Sequence, residues 1–452
     1  MAANQAKFVP LRIFIDKEKN SVIFAEAGCE FVDILFSFMT IPLGTITRLV
    51  SNASHSQPLK IGSLSTLYEG VSNLDEKHFS TTTCKSMLLQ PRNSLAAHCR
   101  KLKLNIDETE PTKYFGCEGT CRLISVFRNT SCRCGKLMNH EKYPSSSVGS
   151  VVVNEGEAFV KESATFIISD SLDVMSNTPG AIIMVLSNLG IQDMNAVEER
   201  TVNIDMKKIL ELLKCSLVSK ATLTDVILRN NQLLNLENLE QHYAFQTSIN
   251  SYWNKNIKAL VRKSSRQLLF AQADEGFIDF LFSFLTIPLG GVLHLLDGRS
   301  TLGSIDNLYK SIRDLDSNRC IVSWEVKSML LNPPVAFKFK CNNQILPILE
   351  EEHPELYNEC GNVRSFLSII DPKSRGFAKG PSMYMVTDDL TVTSYSSLSV
   401  MSFLNRLNIP FCDAEEMDLC IGIKEGMSIL KASLTSKSAL SNGLNLKDKK
   451  PT

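Results

Sequence analysis

Recognisable catalytic fingerprints are what this sequence lacks first. Across 452 residues it contains no Gly-x-Ser-x-Gly elbow, no phosphate-binding loop, no His-Glu-x-x-His and no dinucleotide glycine signature, so the readable marks of the common hydrolase, nucleotide-binding, zinc-protease and dehydrogenase sites are missing. It also lacks charge of one sign. With 48 Lys and Arg against 48 Asp and Glu, no whole-chain field draws it to nucleic acid or acidic lipid, and no nucleic-acid partner is expected. Residues 1–10 hold one lysine and no apolar core, so no secretory signal is read there, and an intracellular location, cytoplasmic or nuclear, is expected. In that compartment the 13 cysteines stay reduced, which favours burial or metal binding over a disulfide framework. The seven histidines are dispersed and align with nothing.

What is present is a repeat. Phe31-Val-Asp-Ile-Leu-Phe-Ser-Phe-Met-Thr-Ile-Pro-Leu-Gly44 returns as Phe277-Ile-Asp-Phe-Leu-Phe-Ser-Phe-Leu-Thr-Ile-Pro-Leu-Gly290 with three apolar-for-apolar changes, so one structural unit is used twice. Asp33, Ser37 and Thr40 fall at i, i+4 and i+7 among apolar residues, and Asp279, Ser283 and Thr286 repeat the stripe, which predicts a short, almost wholly buried helix. Pro42 and Pro288 end it, Gly44 and Gly290 act as flexible stops, and each Asp caps the first turn. About ten helical residues reach about 15 Å, half of a bilayer core of about 30 Å, so no membrane span is expected.

The pattern on either side points to an α+β fold of two similar tandem modules. Each has a β-hairpin and buried helices, followed by a smaller strand-helix-strand-helix part. The hairpins are read at residues 11–16 with 22–25, and at 257–261 with 267–271. Gly62-Ser-Leu-Ser-Thr-Leu-Tyr matches Gly303-Ser-Ile-Asp-Asn-Leu-Tyr, and Lys85-Ser-Met-Leu-Leu-Gln-Pro91 matches Lys327-Ser-Met-Leu-Leu-Asn-Pro333. Strand, Asp-containing turn and strand follow around Asp170 and Asp388. The expected layout is a disordered N-terminus over 1–9, a first module over 10–228, a linker over 229–256, a second, shorter module over 257–437 and a disordered tail over 438–452. Between Cys117 and Phe159 the first copy is 25 residues longer than the second is between Cys360 and Phe377. The cysteine-containing stretch 117–150 is therefore expected to be an exposed excursion rather than core.

That excursion holds the one chemical candidate. Cys117, Cys121, Cys132 and Cys134 make a Cys-x3-Cys…Cys-x-Cys set, with His140 six residues on. Four thiolates satisfy tetrahedral zinc, and a first pair three residues apart can be presented by one turn. The alternative is four reduced, unconnected cysteines. In the second copy Arg364 stands where Cys121 aligns and the Cys-x-Cys segment is missing, so a metal there is local and structural rather than catalytic. No catalytic or cofactor-binding residue is assigned otherwise.

The motifs Phe24-Ala-Glu-Ala-Gly, Ile41-Pro-Leu-Gly-Thr, Met87-Leu-Leu-Gln-Pro-Arg-Asn-Ser, Leu102-Lys-Leu-Asn-Ile-Asp, Cys132-Arg-Cys-Gly and Ile168-Ser-Asp-Ser-Leu-Asp-Val, with the buried helix, resemble the plant family known as domain of unknown function 674. The resemblance covers residues from about 11 to 437 and implies a plant source and a repeated unit. It supplies no substrate or catalytic residue. The function expected is a non-enzymatic protein-interaction or scaffold module with unidentified protein partners. The alternative is an enzyme with a site between the modules built from Asp170, Lys214, Asp388 and Lys431.

Overall fold

The computed structural model describes residues 7–51, 58–107, 109–119, 121–146, 157–229, 254–342, 344–360 and 363–446, and its architecture is α+β. The first hairpin, Val9–Asp16 and Ser21–Ala27, sits at the centre of a five-stranded sheet. Phe166–Ser169 and Val174–Ser176 lie to one side and Val197–Ile204 to the other. The second hairpin, Lys255–Arg262 and Leu268–Asp274, does the same with Met383–Thr387, Val392–Ser394 and Ala414–Ile421, in the same order. Both hairpins carry a register shift, between Phe14 and Ile15 and between Leu260 and Val261. The expected linker falls largely on residues outside the described set.

After each hairpin comes the repeated helix, Cys29–Ser37 or Glu275–Ser283, extended by a single tight turn through Thr40 or Thr286. All of residues 31–47 and most of 277–293 are buried, as the apolar run requires. The hydroxyls in this stripe are satisfied locally. Ser37 donates to the Ile34 carbonyl and Thr40 to that of Ser37, as Ser283 and Thr286 do in the second copy.

Two expectations for this segment are corrected by the structure. Gly44 and Gly290 are not stops but lie near the start of the next helices, Leu43–Ser51 and Leu289–Leu295. Here the two copies cross. Leu43 N–H donates to the Ile287 carbonyl and Leu289 N–H to that of Ile41, each at 3.0 Å, with Pro42 and Pro288 opposed between them. A Cβ on Gly44 would fall 2.9 Å from the Leu285 carbonyl oxygen, and one on Gly290 2.6 Å from that of Leu330. Close backbone approach, not flexibility, requires these glycines. Asp33 and Asp279 do not cap their helices either. Asp33 accepts the N–H groups of Phe159 at 3.0 Å and Val160 at 2.8 Å, and Asp279 that of Ala378 at 2.8 Å. Burial pushes both carboxyls up to about 7, against the opposing pull of these N–H bonds.

The segments those carboxylates hold run on into the other half. Val160 pairs with Ile321 and Phe79 with Ala378, joined by Val322 N–H to Phe159 O at 3.0 Å and Ser80 N–H to Phe377 O at 2.9 Å. Helices are exchanged in the same way. Gly62–Asn73 packs on Ile423–Thr435, where Ser63 donates to the Ser436 carbonyl. Ile305–Asp314 lies against Val174–Ser176, where Ser311 accepts the Val174 N–H. Lys85 and Lys327 close the exchanged helices by donating to the Leu74 and Leu315 carbonyls. Consistent with that exchange, one continuous apolar core draws on both halves.

The C-terminal stretch also departs from expectation. Residues 438–446 are not a disordered tail, because Ala439–Gly443 is helical and Ala439, Leu440, Leu444 and Leu446 are buried. Apolar residues spaced among serines and asparagines were too sparse to read as a helix.

A third sheet joins the halves. Its order is His140–Lys142, Tyr114–Gly116, Leu123–Ser125, Val363–Ile369, Leu356–Cys360, Ser145–Ser146. The two outer strands are separated only by Tyr143 and Pro144. That connection spans about 10 Å, whereas six flat strands would set the edges about 24 Å apart. The sheet therefore curls back on itself, around Ile124, Leu356, Leu367 and Ile369. The excursion is thus partly core, a further correction.

Gly44→Ala or Gly290→Ala is expected to lower stability by at least about 1–3 kcal/mol in denaturant unfolding, while Gly180→Ala, with open space around its Cβ position, should not. Asp33 and Asp279 hold protons up to about pH 7 when folded but only to about pH 4 when unfolded. Their contribution to stability is complete below about pH 4 and is lost as pH rises through 7. An Asp33→Asn, Asp279→Asn double variant should show a flatter fall of the unfolding midpoint between about pH 5 and 8.

Candidate metal centre

The curled sheet presents the cysteines. Strand Tyr114–Gly116 delivers Cys117, and the loop after it returns through Gly119 to Cys121. A Cβ on Gly119 would meet the two sulfurs at 3.7 and 3.8 Å, so the loop folds tightly around them. Beyond Leu123–Ser125, the short antiparallel pair Thr130–Ser131 and Leu137–Met138 carries the second two. Cys132 N–H donates to the Lys136 carbonyl at 2.8 Å and Gly135 N–H to that of Cys132 at 2.9 Å. Gly135 has φ +83°, which glycine adopts at little cost. The unusual Cys-x-Cys spacing works because this single turn aims both side chains the same way.

The four sulfurs lie within 4.8 Å of one another, with those of Cys117 and Cys134 3.7 Å apart. Tetrahedral zinc with Zn–S of about 2.3 Å would set its sulfurs about 3.8 Å apart. The donor set fits such an ion, and the cluster can hold a metal. Cys117 and Cys132 are buried while Cys121 and Cys134 are exposed. The Lys136 N–H aimed at its sulfur lowers the Cys134 thiol to about 7, Cys121 is raised to about 12 through its bonds with Cys134 and the other thiols, and burial raises Cys132. Beneath them Cys117, Cys132 and Met138 pack with Phe115, Leu123 and, from the second half, Ile370.

His140 is not gathered among the sulfurs; its Nε2 meets Glu118 Oε1 at 3.1 Å on the surface. The side chains of Cys360 and Arg364 lie outside the described residues. Sequence reading missed the cations that flank the cysteines, Arg122, Arg133, Lys136 and Lys142, because charge was summed over the whole chain; a local count would have found them.

The residues of the alternative site have other occupations. Asp170 accepts the Thr224 N–H and hydroxyl, both at 2.7 Å, at the start of helix Thr222–Ile227. Asp388 accepts those of Ser441 at 2.7 and 2.9 Å in helix Ala439–Gly443. Both are caps supplied from a distant turn. Lys214 and Lys431 are buried, which holds both below the ordinary lysine range. An open hollow of about 490 Å³ lined by Lys7, Lys103, Asn105 and Asp205 includes none of the four. No helix among the described residues is long and apolar enough to cross a membrane.

Asp170→Ala and Asp388→Ala are each expected to cost about 1 kcal/mol, and up to about 2, in unfolding free energy through the lost cap, leaving thiol titration at the cysteine cluster unchanged.

No curated protein matches the chain, and no solved structure does. The profile described as "Protein of unknown function (DUF674)" matches residues 5–424. With that match spanning nearly the whole chain and carrying the motifs that build the crossing and the cysteine turn, the protein belongs to the DUF674 family.

Proposed function

We propose that this protein is a non-enzymatic interaction or scaffold protein that binds one structural zinc ion through Cys117, Cys121, Cys132 and Cys134. The convergence of the four sulfurs within 4.8 Å carries this reading. When bound, zinc supplies Lewis acidity and a rigid four-point clamp, and a site closed by four thiolates keeps no open position for substrate. The chain's own residues do the rest. The Lys136 N–H is aimed at the Cys134 sulfur and favours its thiolate, and the Cys134 N–H opposes in part the burial that raises Cys132. The turn at Gly135 fixes their direction, and the apolar floor with Ile370 ties the clamp to the second half.

Protein partners are supported by apolar side chains left on the outer helices. Ile183 on Pro179–Asn188 and Met401 on Ser397–Leu407 are 63% and 60% exposed. They occupy matching places after the paired turns, as do Leu189 and Leu407. Repeated exposed apolar positions favour contact with another protein. The engagement of Asp170 and Asp388 as caps weighs against an enzyme at the junction.

Elemental analysis of the full chain purified under reducing conditions should find one zinc per molecule, lost on Cys132→Ser. No zinc, no uptake of added zinc, or iron in its place would overturn the metal assignment. Affinity capture with the intact chain should return a stoichiometric protein partner; recovery of chaperones alone would overturn the interaction role.

A further inference from the structure

The cations flanking the cysteines are gathered around one point. Arg122 follows Cys121, Arg133 stands between Cys132 and Cys134, and Lys136 comes two residues later. The stem of Lys142 lies over Gly116, the residue before Cys117, so closely that a Cβ there would meet Lys142 Cε at 2.8 Å. Since the sulfurs lie within 4.8 Å of one another, the backbones of these four residues are brought close to one centre. All four residues are exposed, and among the described residues none of them forms an ion pair. Residues 113–142 hold six Lys and Arg against two Glu, with Lys113 paired to Glu110 just outside that window. The neutral balance of the whole chain conceals this concentration.

A divalent ion held by four thiolates would be a dinegative centre, which two of these charges would balance. Four cations exceed that need. The residue after Lys142 is Tyr143, 86% exposed, which leaves its aromatic ring open to solvent at the edge of the curled sheet. Cations that can pair with phosphates, next to an unoccupied ring face, are the two components of sequence-tolerant single-strand binding. An acidic protein segment would use the cations but would gain nothing specific from a stacking surface.

We propose that Arg122, Arg133, Lys136, Lys142 and Tyr143 form a binding site for single-stranded nucleic acid. The cations contact the phosphodiester backbone and the tyrosine stacks on a base. The proposal goes beyond the interaction role, and it rests on the zinc reading only in that the metal holds the two loops together.

The test is fluorescence anisotropy with a labelled oligouridylate of about 20 nucleotides and the full chain, with zinc content measured on the same samples. Expected is binding that weakens with salt by about 0.7 logarithmic units per phosphate contact for each tenfold rise in salt. It should fall at least about tenfold in an Arg122→Ala, Arg133→Ala, Lys136→Ala variant that keeps its zinc and its unfolding midpoint. Tyr143→Ala should weaken binding by about tenfold with an unchanged salt slope. Absence of binding at about 50 mM salt, or equal binding by the triple variant, overturns the proposal. So does a triple variant that loses its zinc and whose binding falls only in proportion to that loss, because the cations then serve the metal alone. Equal competition by polyglutamate overturns it in favour of an acidic protein partner. Absence of zinc in otherwise binding-competent protein would overturn the metal reading and leave this site standing.

Discussion

The fold depends on two peptide hydrogen bonds where the copies of Ile-Pro-Leu-Gly cross, from Leu43 to Ile287 and from Leu289 to Ile41. Proline has no N–H to offer a ladder, so the pairing at Pro42 and Pro288 can extend no further than the residues beside them. The helices that follow start so near other backbone, the Leu285 carbonyl of the other half at Gly44 and the Leu330 carbonyl of its own half at Gly290, that only glycine fits. Apolar residues on both sides make this point the middle of a single core. Buried peptide groups must be paired, and here each half satisfies the other's.

The two carboxylates extend that dependence outward. Asp33 and Asp279 sit in helices next to the crossing, yet they hold strands whose other side belongs to the opposite half. With the exchanged helices, neither five-stranded sheet is covered by its own half alone. The cysteine cluster is set on the same pattern, because the sheet that presents it is built from both halves and Ile370 completes its floor.

Local structure was legible in the sequence wherever periodicity or a special residue set it. The buried helix and the Asp-containing turns follow from spacing and turn chemistry. The four cysteines were legible as a set because thiol spacing reports chemistry directly. Roles that depend on what approaches from far along the chain were not. Asp33 looks like a cap until the strand at Val160 is placed against it, and Gly44 looks like a stop until the Leu285 carbonyl is. The short helix at Ala439–Gly443 was hidden because its cap, Asp388, lies 53 residues away. The cysteine stretch read as an outlying loop because its strand partners, Val363–Ile369 and Leu356–Cys360, belong to the other copy.

The reciprocal exchange of helices has an implication for how such a chain can arise. A lone half would leave apolar faces open, because the helices and core residues that cover them come from the other half. Carrying both halves on one chain makes this exchange of contacts intramolecular, at an effective concentration that dilution does not change. It also releases the copies from identity. Once one polypeptide encodes both partners, the first can acquire a cysteine turn while the second loses it, an asymmetry closed to a symmetric pair.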